Sequence, residues 1–198
     1  MHTYHINGPY ENEWANEKCK EYDNNQYAVL GPNYLLIDKQ DTILEHLNIE
    51  SFYTNLGNWT GMTPELTRLL IRNLALALYS KKRITEYLFR TDIKYDYVII
   101  MRPDYIILNK FNVDWLSELG PNSIIIPERD WYKGCNDRMC IAKPNVALYY
   151  GCMFDYLLEY SRQKSIVSEH FCLDMLQKAN LTIIKKPIDY TMIRANNN

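Results

Sequence analysis

The stretch Tyr95 to Leu108, YDYVIIMRPDYIIL, places Arg102-Pro103-Asp104 between two apolar runs. An aspartate at the end of a buried strand offers hard oxygen ligands to a divalent cation. An arginine close beside it presents a planar fork that matches phosphate. Pro103 stiffens the turn and removes a backbone donor. These residue types suit a metal-bridged diphosphate. They suit equally a salt bridge that closes a turn.

The elements that must position this tripeptide follow from the pattern around it. Val98 to Met101 is a continuous apolar run, the mark of a strand buried on both faces, as in parallel sheets. Ile106 to Leu108, Ile124 to Ile126, Met139 to Ala142 and Leu181 to Ile184 read as further strands. Thr63-Pro64-Glu65 opens the clearest helix: Thr63 caps it, Pro64 fits the first helical position, and Glu65 faces the positive dipole end. Leu66, Leu70, Leu74, Ala77, Leu78, Ile84 and Leu88 carry it to Phe89 at helical spacing. Helices are also expected over Asp41 to Leu47, Asp114 to Leu119, Pro144 to Tyr160 and Ser168 to Ala179. Toward the N-terminus, a short helix over Glu13 to Glu21 and strands over Tyr27 to Leu30 and Tyr34 to Ile37 complete the expectation. With no repeat and no linker, residues 1–198 read as one domain. Helices alternating with doubly buried strands predict a three-layer α/β/α sandwich. Ligands of such sheets sit outside the carboxyl ends of the strands, which is where Arg102 and Asp104 fall.

Bulk properties exclude several classes. The net charge is -2, so no basic field attracts a nucleic-acid backbone. No apolar stretch approaches the roughly 20 residues that span a bilayer, and the start MHTYHINGPYENEW lacks the charged and apolar regions of a signal peptide. Cys19, Cys135, Cys140, Cys152 and Cys172 are an odd number with no close pair, which fits reduced thiols in the cytoplasm better than a disulfide framework. Cys135, Cys140, Cys172 and His170 match no common zinc spacing.

YDYVIIMRPDYIIL, NSIIIPE, GCNDRMCIAKPNVALYY and SEHFCLDML, in that order, resemble a family of nucleotide-sugar glycosyltransferases with the GT-A fold. The likeness is to the small glycosyltransferase domains of large DNA viruses, such as the N-terminal rhamnosyltransferase domain of chloroviruses, which would place the chain in host cytoplasm. It covers Tyr95 to about Arg194. The resemblance implies that Asp104 stands at the metal-binding Asp of a D-x-D motif and holds Mn²⁺ or Mg²⁺, with Arg102 in place of the first Asp. It implies that Asp137, with Asn136 beside it, meets donor-sugar hydroxyls, or else pairs with Arg138. Glu169 would lie near the acceptor as the base of an inverting transfer, or simply complement its helix dipole. His170 is a late metal ligand or a satisfied half-buried histidine. Trp131 and Tyr132 stack on a sugar or base, or cover their loop. Lys133, Arg138 and Arg194 are phosphate partners or solvated cations.

The function so implied is transfer of a sugar from a UDP- or GDP-sugar to a glycan or protein acceptor. A second reading is an inert nucleotide-sugar-binding or structural domain, favoured by the reduced motif. A third, a metal-dependent phosphohydrolase, would need several converging carboxylates or histidines where only Asp104 is apparent at the right edge.

Overall fold

The computed structural model describes residues 1–12, 16–20, 22–56 and 62–193. It is mixed α/β, with strands β1 His2–His5, β2 Tyr10–Asn12, β3 Glu17–Cys19, β4 Leu36–Lys39, β5 Val98–Met101, β6 Tyr105–Ile107, β7 Ser123–Pro127, β8 Met139–Ala142, β9 Thr182–Lys186 and β10 Tyr190–Met192. Helices are α1 Gln40–Leu47, α2 Pro64–Phe89, α3 Pro144–Gly151, α4 Phe154–Gln163 and α5 Ser168–Lys178.

Helix α2 begins as its sequence predicts. The Thr63 hydroxyl accepts from the Leu66 N–H at 3.2 Å, and Pro64 occupies the first turn with Glu65. Thr67, Ile71, Leu74, Leu78 and Thr85 are buried, which is one face at three-to-four-residue spacing.

The main sheet has the order β5-β8-β7-β9. β8 is antiparallel to both β5 and β7, and only β7 and β9 run parallel. The expected parallel sheet is therefore corrected to a mixed one. The reason lies between β7 and β8: a parallel return needs a crossover of a dozen or more residues, usually a helix. The segment there, GluArgAspTrpTyrLysGlyCysAsnAspArg from Glu128 to Arg138, holds no helix, so the chain turns straight back. Burial is corrected too. Strand β5 is an edge strand with alternating exposure, and Ile99 is 49% exposed. Every residue of β7 and β8 is buried on both faces.

One face of the sheet packs Val98, Ile100, Ile124, Ile126, Cys140 and Ala142 against the helices. The other carries a smaller cluster of Leu119, Ile125, Met139, Ile141 and Ile188, covered in part by Trp115 and Leu116 of the 3₁₀ segment Val113–Glu118. No α-helical residue joins that second cluster among the described residues.

Other differences are local. Gln26–Leu30 forms a 3₁₀ turn, not a strand, and ends at Gly31 with φ 53°. Where a helix over Glu13 to Glu21 was expected, β2 and β3 pair as an antiparallel hairpin, with Glu13, Trp14, Ala15 and Glu21 outside the described residues. β4 begins two residues later than expected and pairs in parallel with β1. The helix expected over Pro144 to Tyr160 breaks between Gly151 and Phe154. Gly151 lies so close to Thr85 of α2 that an added Cβ would come within 2.1 Å of the Thr85 hydroxyl.

This topology collects the site. β5 and β7 both end at one sheet edge, and β8 begins there, because β8 is antiparallel to each. Residues after β5, after β7 and before β8 consequently share that edge.

Candidate functional site

The loop before β8 is held by its backbone. Gly134 sits directly on the start of α5, where an added Cβ would lie 2.2 Å from the Glu169 carbonyl carbon. The Cys135 N–H donates to the Glu169 carbonyl at 2.8 Å. The Asp137 carbonyl accepts from Lys81 Nζ at 3.0 Å and from the Tyr150 hydroxyl at 2.8 Å. Asn136 is fully buried, and its amide donates to the Arg129 carbonyl at 2.9 Å and to the Tyr190 hydroxyl at 2.7 Å. Its oxygen accepts from the Arg138 N–H at 3.0 Å. Asn136 thus shapes the loop from inside, and its side chain does not reach a ligand. Asp137 and Arg138 project from a fixed base.

Upstream, Asp130, Tyr132 and Lys133 all adopt left-handed backbone, with φ of 57°, 41° and 66°. For non-glycine residues that conformation costs energy and concentrates at functional sites. It brings Asp130 back toward the strand end. One Asp130 oxygen accepts from Arg138 Nη1 at 2.9 Å and from the Tyr190 hydroxyl at 2.7 Å.

Arg102 and Asp104 meet in a two-pronged ion pair, Nε to Oδ1 at 2.9 Å and Nη2 to Oδ2 at 2.6 Å. The Arg102 guanidinium also lies 5.7 Å from the centre of the Tyr105 ring. Tyr105 stacks on Tyr190 with ring centres 4.4 Å apart, the pair standing on the antiparallel strands β6 and β10. The Tyr105 hydroxyl is buried and has no hydrogen-bond partner among the described residues. Buried hydroxyls are normally paired, so this one marks a place where a water or ligand atom belongs.

Glu169 opens α5 and is only 7% exposed. Ser168, expected as the cap, makes no such bond; its hydroxyl donates to Glu169 Oε2 at 2.7 Å instead. Arg138 Nη2 stands 3.9 Å from Glu169 Oε1. Burial pushes the Glu169 carboxyl above its ordinary value, and repulsion from Asp137 adds to that, against the Ser168 hydrogen bond and the Arg138 charge. Asp137 bears on the arginines as well. Burial opposes the charged forms of Arg102 and Arg138, yet both are held above the ordinary value. For Arg102 the Asp104 pair counts most, for Arg138 the Tyr105 and Tyr190 hydroxyls, and Asp137 contributes to each.

Of the residues expected from sequence, Arg102, Asp104, Asp137, Arg138 and Glu169 come together. Asn136 is adjacent but internal. Trp131 is fastened by its indole N–H to the Pro127 carbonyl at 2.6 Å, and Lys185 Nζ covers its ring at 3.9 Å, so that face is taken. Tyr132 is exposed. His170 lies one turn before Asp174 on α5 and acts on that carboxylate, among Lys164 and Tyr160, away from the strand-end group. Arg194 lies outside the described residues.

The implied Mn²⁺ or Mg²⁺ does not fit the side chains as arranged. Both Asp104 oxygens are engaged by Arg102. Among the described residues no group of three His, Cys, Asp or Glu side chains converges to hold a metal. Nor do the cysteines form such a centre: Cys135 and Cys172 both donate to the Asn136 carbonyl, at 3.8 and 3.9 Å, and burial pushes the Cys140 thiol up to about 12.

Asp130, Tyr105 and Tyr190 belong to the group and were not singled out from sequence. Tyr105 follows the Arg-Pro-Asp tripeptide directly, a usable signal. Tyr190 gives none, since its place depends on β10 pairing with β6, where Tyr190 stands opposite Ile107. Open hollows of about 540 Å³ beside His5, Tyr22 and Asn24, and of about 360 Å³ beside Tyr156, Lys164 and Asp174, include no member of this group. In comparisons with known proteins, the chain matches no family model, no curated protein and no solved structure. No helix among the described residues is long and apolar enough to cross a membrane.

Proposed function

We propose that this chain is a glycosyltransferase that takes a sugar from a UDP- or GDP-sugar, on a GT-A-like α/β frame, and passes it to a glycan or protein acceptor. The single observation that carries the reading is convergence. Arg102, Asp137 and Glu169 lie far apart in sequence, in the ordered motifs of the resemblance, yet the end of β5 pairs with the start of β8 at Met101 and Met139, the Cys135 N–H donates to the Glu169 carbonyl at 2.8 Å, and Arg138 Nη2 stands 3.9 Å from Glu169 Oε1.

In this reading Arg102 and Arg138 face the donor diphosphate and offset the charge that grows on it as it leaves. Asp137 accepts from donor-sugar hydroxyls. Glu169 takes the acceptor proton: the acceptor oxygen bonds to the anomeric carbon, the carbon–oxygen bond to the diphosphate breaks, and its electron pair departs with the nucleoside diphosphate. A carboxyl raised by burial is a stronger base than a solvated one, which suits Glu169 to that role. Reaction with inversion follows from a single in-line displacement. A cytoplasmic site of action fits the unpaired cysteines.

The self-satisfied Arg102–Asp104 pair favours a second reading, an inert nucleotide-sugar-binding or structural domain. A thermal-shift screen of UDP- and GDP-sugars, followed by assay of sugar release, separates the two. Ligand that binds the folded state raises Tm by mass action. The transferase reading expects a shift with at least one donor and release of nucleoside diphosphate from it. A shift without release supports the inert binding domain, and no shift with any donor contradicts the transferase and the binding domain and leaves the structural one.

A further inference from the structure

We infer that the site binds the diphosphate of its ligand without a metal, and that Asp104 is the placeholder a phosphate displaces from the Arg102 guanidinium. The inference rests on the nucleotide-sugar reading above and departs from the metal-binding role that the resemblance gives Asp104.

Three features carry it. First, the two-pronged Arg102–Asp104 geometry is the one an arginine offers to a phosphate, since carboxylate and phosphate present the same pair of acceptor oxygens. Second, the pair is not sealed off: the Arg102 side chain is 44% exposed. The pair is partly buried, with the Asp104 side chain 21% exposed, and a phosphate dianion offers the guanidinium two charges where the carboxylate offers one. Third, both the Arg102 and Arg138 charges act on the Tyr105 hydroxyl, which is buried with no hydrogen-bond partner among the described residues. A phosphate oxygen held by the two guanidiniums supplies the missing acceptor. Asp130 stands to Arg138 as Asp104 stands to Arg102, each arginine resting on an aspartate. A cation at Asp104 would have to remove the carboxylate from Arg102, and among the described residues no group of three His, Cys, Asp or Glu side chains gathers to hold it.

The metal-bound and metal-free accounts predict opposite signs for one substitution. UDP, GDP and inorganic pyrophosphate are titrated by calorimetry into wild type, Asp104→Asn, Arg102→Ala and Tyr105→Phe, each in excess EDTA and again in Mn²⁺. We expect binding to survive EDTA. Asp104→Asn should tighten it about twofold to fivefold, the value of releasing a half-exposed ion pair. Arg102→Ala should weaken it about tenfold or more, and Tyr105→Phe about threefold to tenfold. Tyr105→Phe should leave the unliganded Tm equal or higher, because a buried unmade hydrogen bond is removed. That combination distinguishes a ligand contact from a packing role. Binding that requires Mn²⁺ and vanishes in Asp104→Asn overturns the inference and leaves the transferase reading standing. Absence of binding by all three probes, in both wild type and Asp104→Asn, overturns both.

Discussion

Two polar groups in this molecule look alike on paper and differ in every physical respect. The first ties β1, β4 and α2. His2 Nδ1 meets the Ser80 hydroxyl at 2.8 Å, His2 Nε2 meets Asp38 Oδ2 at 3.1 Å, and Arg83 Nε donates to the same oxygen at 3.1 Å. Histidine, serine and aspartate in a hydrogen-bonded row invite a catalytic interpretation. Yet the His2 side chain is fully buried, both ring nitrogens are occupied, and Ser80 lies in the middle of a long helix with no backbone turn to present it. The second group, at the end of β5, has two arginines among aspartates and a glutamate, a buried hydroxyl without a partner among the described residues, and left-handed backbone at Asp130, Tyr132 and Lys133. A fastening closes every hydrogen bond on ordinary backbone. A binding site tolerates like charges, leaves a bond open and stores strain.

The difference is breakable at three points. The largest effect is expected at the site. Glu169→Gln should lower turnover about 10²–10⁴-fold, the usual contribution of a general base. Stability should respond in the other direction. The folded carboxyl titrates above its ordinary value of 4.5, so its contribution to stability is complete below that pH and is lost as pH rises through the raised value. The variant should therefore melt no lower than wild type at neutral pH, with a flatter profile above pH 4.5. A parallel loss of Tm would make Glu169 a helix-start residue.

Next comes Gly134→Ala. Its Cβ would meet the Glu169 carbonyl carbon at 2.2 Å and the His170 nitrogen at 2.6 Å. Backbone must give way, at a cost of about 1–3 kcal/mol, and Glu169 moves with it. Both Tm and turnover should fall; an unchanged Tm would show that α5 does not rest on this loop.

The smallest effect concerns the fastening. Burial holds the His2 imidazole below its ordinary value of 6.5, against the pull of Asp38. The unfolded chain then binds a proton that the folded chain resists, so stability present above pH 6.5 declines as pH falls toward the lowered value. Asp38, held below its ordinary 3.8 by His2 and Arg83 despite its own desolvation, adds a further loss at lower pH. His2→Gln should melt lower at pH 8, by about 1 kcal/mol for a severed hydrogen bond, and show a shallower decline on acidification. The fastening weakens as pH falls and the site weakens as pH rises. A melting profile with the same pH slope in both variants would erase the contrast.

What the sequence disclosed follows the same division between local and long-range causes. The Thr63 cap, Pro64 and the buried stripe of α2 are local and were readable. So were the strand cores of β7 and β8 and the Arg-Pro-Asp, Asn-Asp-Arg and Ser-Glu strings, whose meeting the fold supplies. The direction of β8 was not, because an apolar run looks the same in parallel and antiparallel company. Nor was the edge position of β5, whose Ile99 and Met101 face outward in a run that reads as core. The break after Gly151 depends on Thr85, more than sixty residues earlier. Asn136 reads as a polar loop residue, and its complete burial follows from Arg129 and Tyr190 closing over it. Asp130 and Tyr190 enter the site only through pairings that sequence spacing does not express.

The central claim, that the cluster at the end of β5 performs sugar transfer, meets its most direct test in turnover. The wild-type chain is incubated with a panel of UDP- and GDP-sugars and glycan acceptors, and nucleoside diphosphate release is followed by chromatography beside Asp137→Ala and Glu169→Gln. The account predicts release from at least one donor by wild type and its near-complete loss in both variants. Release that persists undiminished in both, or binding of donors with no release by any of the three, would contradict it.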